Sequence, residues 1–177
     1  LLTCDTSIFR ATKGGANAKQ FVYVGRFSPE KGIDVLTKAF RLYKDELDGK
    51  WELLCIGNGP LESTIKESKD IRIEPFATAE VIAKRLSESS AFVVPSNRDF
   101  FPLVVQEAAA ASMPLILSSN VGSASVFGLH NYNSLIFDVG SADQLAARMK
   151  QMELKSNDDR VAMGRKSYEM SFRNSPE

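Results

Sequence analysis

The sequence predicts an α/β domain, a doubly wound parallel sheet with helices on both faces. Two observations carry this. Short apolar runs alternate along the chain with segments of helical periodicity, which implies right-handed crossovers between parallel strands. The 177 residues, 44% of them hydrophobic, suffice for one domain with a full core. No internal repeat or low-complexity tract interrupts the alternation.

Each element has its own signal. Residues 1–20 carry Gly14-Gly15 and small polar side chains and read as an interdomain linker; the domain proper is expected over 21–177. Phe21 to Val24 is an apolar strand. Ile33, Leu36, Phe40, Tyr43 and Leu47 then recur at helical spacing. Trp51 to Ile56 is a second strand, stopped by Gly57-Asn58-Gly59-Pro60, and a short helix follows over Leu61 to Ser68. Ile71 to Ile73 is a third strand, Ala79 to Glu88 a helix, and Ala91 to Val94 a fourth strand. A helix over Leu103 to Ser112 leads to a strand over Pro114 to Leu117, with another short helix able to start near Gly122. Ser134 to Phe137 is the last strand and Ala142 to Glu153 a helix. The final helix, Asp158 to Phe172, offers Val161, Met163, Tyr168 and Phe172 as its buried positions.

Composition removes several function classes. Twenty-two basic residues balance twenty-two acidic ones, so no basic excess neutralises a nucleic-acid backbone. No apolar run reaches membrane-span length. Cys4 and Cys55 have neither metal-ligand nor disulfide-framework spacing, and a reducing compartment follows. His130 is the one histidine, which opposes a histidine-rich metal site or a Ser-His-Asp triad.

In a doubly wound sheet, ligands bind outside the carboxyl ends of the strands. The loops after strands therefore carry the functional reading. After the first strand, Gly25 to Gly32 supplies Arg26 and Lys31, a planar fork and a compact charge suited to a diphosphate. Glycine there lets backbone approach a ligand. A solvated loop with Glu30 neutralising a neighbour fits the same spacing. After the second strand, Gly57 and Gly59 precede a helix and can cradle a ligand with N–H groups, or simply turn the chain. Glu62 occupies the third position of a G-x-G-x-x-G fingerprint, so a dinucleotide site fails on its last element.

The third loop holds the most informative stretch, Asp99 to Glu107. It sets two carboxylates across a loop and a helix N-terminus. Pro102 suits a first helical turn, and the N–H groups of Leu103, Val104 and Val105 would face an anion. Loop capping by Asp99 and an exposed helical Glu107 are the structural alternatives. Ala108 to Ala111 makes the helix slim, which favours a packed position for Glu107. Together, cations, glycines and paired acids in successive loops suggest a nucleotide diphosphate carrying a polyhydroxylated group.

With these motifs in order, the chain resembles the C-terminal half of retaining glycosyltransferases of the GT-B type, family four (glycosyl transferases group 1). Val24-Gly25-Arg26 through Glu30-Lys31-Gly32 is similar to V-G-R-x-x-x-E-K-G, and Ile56 to Pro60 to I-G-x-G-P. Pro95-Ser96 with Asp99 and Glu107 is similar to P-S-x-x-E-x-F-G-x-x-x-x-E-A. Asn133 to Phe137 with Gly140 is similar to N-G-L-L-V-x-x-G, and Cys4 to Phe9 to the segment that precedes this half.

The resemblance implies one Rossmann-like half of a GT-B fold. Arg26 and Lys31 would bind the donor diphosphate, Glu107 the ribose and Asp99 the transferred sugar, with Arg26, Lys31 and Asp99 as the catalytic set. Gly25, Gly57, Gly59, Phe101, Leu103 and Val104 would line the donor, and Glu74 and Phe76 would lie near the base. The donor would be a UDP- or GDP-linked sugar, with no cofactor and no metal, used in glycan or polysaccharide synthesis. The partners expected are the nucleotide sugar and an absent N-terminal acceptor domain, without nucleic acid or a membrane span. The isolated chain would be inactive, and the setting cytoplasmic, or membrane-peripheral through the absent half.

The chain departs from the pattern at Asp99, where glutamate is usual, at Pro102 and Ser134, where glycine is usual, and at Cys4 and Ser123. These changes bear on the sugar contact more than on the phosphate contact. They keep open a non-catalytic binding module with a drifted site. A dinucleotide-dependent oxidoreductase domain is the third reading, opposed by Glu62.

Overall fold

Six parallel strands lie in the order β3-β2-β1-β4-β5-β6: β1 Gln20–Val24, β2 Glu52–Ile56, β3 Ile71–Glu74, β4 Ala91–Val94, β5 Leu115–Ser118 and β6 Ser134–Phe137. The computed structural model describes residues 6–15, 17–66, 70–99, 103–122 and 124–172. Eight helices are described: α1 Ser7–Arg10, α2 Ile33–Asp45, α3 Glu62–Lys66, α4 Ala79–Ser87, α5 Leu103–Ala110, α6 Ala124–Phe127, α7 Ala142–Leu154 and α8 Asn157–Met170. The sheet order reverses between β1 and β4, which is the topological switch point.

Successive side chains of a strand point to opposite faces, and each face is covered by helices. Phe21, Tyr23, Leu53, Cys55, Val93, Ile116, Leu135 and Phe137 share one core with residues of α2 and α7. Val22, Val24, Leu54, Ile56, Phe92, Val94, Leu115 and Leu117 share the other with residues of α1, α4 and α5. The doubly wound α/β architecture is therefore as the alternation of elements predicts, and strands buried on both faces explain the unbroken apolar runs.

The stretch ahead of β1 contains a helical turn. Phe9 of α1 is buried against α4 and α5. Backbone bonds from Gly14 N–H to the Ala111 carbonyl and from Gly15 N–H to the Ser89 carbonyl, both 3.0 Å, continue the attachment.

Several expectations need correction. Leu47 lies beyond the end of α2 and is exposed, whereas Ile33, Leu36, Phe40 and Tyr43 are fully buried. On α8, Met163 is buried, but Val161 is 54% and Phe172 43% exposed. The buried face of α8 is Arg160, Met163, Gly164, Ser167 and Met170. Small residues, Gly164 and Ser167, sit in the middle of it, and at Gly164 the helix approaches backbone: a Cβ there would stand 2.1 Å from the Ser112 carbonyl oxygen. Helix α3 spans Glu62–Lys66, and Ser68 lies outside the described residues. Among the described residues, no helix is long and apolar enough to cross a membrane.

Candidate functional site

The loops at the carboxyl edge are joined backbone to backbone. Gly25 N–H donates to the Ile56 carbonyl at 3.0 Å and Gly57 N–H to the Glu74 carbonyl at 2.9 Å, so sheet pairing runs past the strand ends. Phe27 N–H reaches the Asn58 carbonyl at 2.9 Å, and Leu61 N–H reaches the Phe27 carbonyl at 3.0 Å. The glycines of the second loop serve this contact. A Cβ on Gly57 would stand 2.0 Å from the Gly25 carbonyl oxygen, and one on Gly59 would stand 2.4 Å from that of Phe27. Tyr23 secures the turn from below: its hydroxyl donates to the Arg26 carbonyl at 2.8 Å, and burial pushes its phenol far up, so it stays protonated.

The loops after β1, β4 and β5 are tied through Asn97. Its side-chain amide donates to the Pro29 carbonyl at 2.8 Å, and its own N–H donates to the Glu30 carbonyl at 3.0 Å. The Asn120 side chain in turn donates to the Asn97 carbonyl at 2.5 Å. Gly122 N–H donates to the Asp99 carbonyl at 2.8 Å, and Asp99 forms an isolated parallel bridge with Val121. Gly32 adopts φ +68°, and a Cβ there would stand 2.1 Å from the Pro95 carbonyl oxygen, so this position is closed to other residues.

This frame places the sequence-predicted side chains. Arg26 is exposed at the switch point, and Lys31 closes the 3-10 turn Pro29–Lys31. The Lys31 ammonium Nζ lies 2.5 Å from Asp99 Oδ2, with side-chain exposures of 33% and 13%. Glu30 is turned to Ser28, whose hydroxyl donates to Oε1 at 2.6 Å and holds the carboxyl below its usual range. A cleft of about 270 Å³ lined by Arg98, Asp99, Ser119, Asn120, Val121 and Gly122 adjoins the ion pair. Leu103 and Val104 open α5 half-buried, and Glu107 is half-buried one turn on, against fully buried Ala108 to Ala111. Phe101 and Pro102 lie outside the described residues.

At the far edge, Glu74 ends β3. Its carboxylate accepts from Arg85 Nε at 2.7 Å, and Arg72 Nε stands 3.5 Å away. Phe76 follows with 69% of its surface in solvent, a large exposed aromatic at the same end of the sheet. Arg26, Lys31 and Asp99 are thus gathered at the switch point, while Glu74 and Phe76 stand two strands away. Sequence reasoning offers Asn97 only as a residue that could share loop capping with Asp99 and gives Asn120 no role; polar residues immediately after β4 and β5 were the available signal. His130, exposed, accepts from Ile136 N–H through Nδ1 at 2.9 Å, a structural task.

The chain matches the family described as Glycosyl transferases group 1 over residues 6–170. It is 33% identical over 132 residues to TuaC of Bacillus subtilis (strain 168), a glycosyltransferase provisionally assigned to teichuronic acid biosynthesis; the match covers 75% of this chain and 32% of TuaC. It is 27% identical over 163 residues to the D-inositol 3-phosphate glycosyltransferase of Thermobispora bispora, covering 83% of this chain and 37% of that protein. The chain therefore spans about a third of the length of these curated relatives. In fold it matches the C-terminal domain of the group 1 glycosyl transferase LpcC from Francisella tularensis, with a TM-score of 0.76 at 18% identity, over 97% of this chain and 98% of that one. The extent of the family match and the shared GT-B fold lead to one conclusion: this chain belongs to the glycosyl transferases group 1 family.

Proposed function

We propose that the chain is the donor-binding part of a retaining glycosyltransferase, holding a nucleoside diphosphate sugar at the β1/β4 switch point. One observation carries the reading. Lys31 on the first loop pairs with Asp99 on the fourth-strand loop, and Arg26 lies exposed on the same first loop, where an open parallel sheet binds ligands. Arg26 and Lys31 neutralise the diphosphate and stabilise it as it departs, aided by the first turn of α5. Asp99 faces the sugar, Glu107 the ribose, and Phe76 offers a surface on which a base can stack. The glycines Gly25, Gly57 and Gly59 keep the floor of the cleft at backbone height.

Relatives support the donor class. A pneumococcal O-GlcNAc transferase of similar fold, GtfA, forms a complex with UDP and GlcNAc. A mannosyltransferase of Mycobacterium tuberculosis (strain CDC 1551 / Oshkosh), 28% identical over 157 residues, is GDP-mannose-dependent. The acceptor is held by a further domain, consistent with the third of its relatives' length that this chain spans, and the chain alone transfers little or no sugar.

A thermal-shift series with UDP, GDP, ADP and NAD tests the reading. A diphosphate at a hundredfold its Kd adds about 2.7 kcal/mol, or about 5–11 °C for a domain of this size. Arg26→Ala removes that response without lowering the unliganded Tm. Stabilisation by NAD alone would replace this reading with a dinucleotide site. Silence toward all four would leave a drifted binding module.

A further inference from the structure

We propose that a groove between the connection leading into β1 and helix α8 is a second ligand site, taking a phosphate group carried on an apolar stem. The groove has a volume of about 510 Å³, within the range of small-molecule sites. It lies away from the switch point. Helix α5 follows β4 and runs about 12 Å along its axis to Ala110. Ser112, just beyond that far end, and Gly14, tied to the Ala111 carbonyl, both line the groove. The inference is therefore independent of the donor-binding reading.

The charge of the groove is one-sided. Arg10 from α1, Lys13 from the connection and Arg165 from α8 line it, and no acid does. Among the described residues, the Lys13 and Arg165 side chains make no ion pair. Arg10 is held in place by aromatic contact: its guanidinium carbon lies 4.1 Å from the centre of the Phe172 ring, and Phe172 meets Tyr168 edge-on with ring centres 5.1 Å apart. A cation held on a ring loses little freedom on meeting an anion. The Thr12 hydroxyl is spent on the Ile8 carbonyl at 3.1 Å, so recognition of the anion falls to the cations.

Three cations from three segments suit a dianion. A phosphate monoester carries about −1.5 to −2 charges near neutral pH and offers three acceptor oxygens, whereas a carboxylate carries one charge. The stem has its own wall. Val161 stands where helical periodicity expects a buried residue, yet it is 54% exposed, and with half-buried Tyr168 it lines the same groove. A lone exposed valine needs no explanation; one that shares a concavity with three cations and an aromatic ring gives an amphipathic anion both of its contacts.

Isothermal titration with hexyl phosphate and inorganic phosphate tests this. Hexyl phosphate should bind one to one and about tenfold tighter than inorganic phosphate, the effect of burying about two methylenes. Lys13→Gln and Arg165→Gln, at exposed positions, should each weaken hexyl phosphate about fivefold, and Arg26→Ala should leave it unchanged. Co-sedimentation with phosphatidylcholine vesicles carrying phosphatidic acid identifies the source of the ligand. Sedimentation that Arg165→Gln weakens supports the site with a lipid headgroup as occupant; no sedimentation of a chain that binds hexyl phosphate supports it with a soluble ester. Absence of hexyl phosphate binding, equal affinity for inorganic phosphate, or affinity unchanged in both glutamine variants would overturn the inference. So would loss of binding in Arg26→Ala, which moves the ligand to the switch point.

Discussion

Replacing Gly57 by alanine tests whether the glycines after β2 serve loop packing. The added Cβ would stand 2.0 Å from the Gly25 carbonyl oxygen, a full ångström inside the 3.0 Å that Cβ atoms essentially never cross. Neither side can yield cheaply. Gly57 N–H is committed to the Glu74 carbonyl and Gly25 N–H to the Ile56 carbonyl. Gly57 also has φ +150°, where L side chains are strained. Forced repacking costs roughly 1–3 kcal/mol and a strained positive-φ conformation about 1–3 kcal/mol, so a loss of about 3 kcal/mol is expected. At about 2–4 °C per kcal/mol for this size, the Tm should fall by roughly 6–12 °C. Gly140→Ala is the matched control. Its φ is +76°, but nothing lies within 4 Å of the added Cβ, so only the conformational cost of about 1–2 kcal/mol applies. Differential scanning calorimetry on both variants decides the matter. A Gly57→Ala Tm within 2 °C of the parent, or no lower than that of Gly140→Ala, would refute loop packing as the role of this glycine.

Three further outcomes follow from the same contacts. Tyr43→Phe removes a hydroxyl that donates to Glu153 Oε2 at 2.6 Å and accepts from Trp51 N–H at 2.9 Å; stranding that buried N–H should cost about 1–3 kcal/mol in urea unfolding. Asn97→Ala breaks the bond to the Pro29 carbonyl, worth about 0.5–1.5 kcal/mol, and should weaken UDP or GDP binding in titration while the backbone bonds to Glu30 keep the fold. The Ser156 hydroxyl holds the Asp159 carboxyl below its usual range; its contribution is thus complete above the unfolded value of about 3.9 and is lost as pH falls through the lower folded value. The Tm difference between parent and Asp159→Asn should be constant from pH 7 to 5 and shrink below pH 4.

Every strand was legible because this sheet is buried on both faces. Tyr23, Leu53, Cys55 and Val93 serve one core while Val22, Leu54, Phe92 and Val94 serve the other, so apolar residues run without alternation. The last helix was legible in extent and not in orientation. Gly164 packs against the Ser112 backbone just beyond α5, and Asn133 reaches the same face, donating to Ser167 Oγ at 3.0 Å and to the Phe127 carbonyl at 2.7 Å. Hydrophobic periodicity finds a face that packs on side chains. This face packs on backbone, and small or polar residues mark it instead, so Val161 and Phe172 were mistaken for the buried set.

The site shows the same division. Which loops matter follows from topology, because strand order alone puts Arg26, Lys31 and Asp99 at the reversal between β1 and β4. What each residue touches does not follow. Spacing assigns glycines 25 and 57 to an approaching ligand, yet in the structure Gly57 is closed in by the Gly25 carbonyl and Gly25 by the Tyr23 side chain. Spacing likewise treats Lys31 and Asp99 as separate contacts 68 residues apart, yet they form one ion pair. Both findings have one cause: the loops pack against each other before they face any ligand. On the donor-binding function proposed above, close-packed glycine backbones would fix the height of the floor, and the choice of ligand would pass to the few side chains that rise above it. A substitution at Gly57 should therefore disturb every ligand alike.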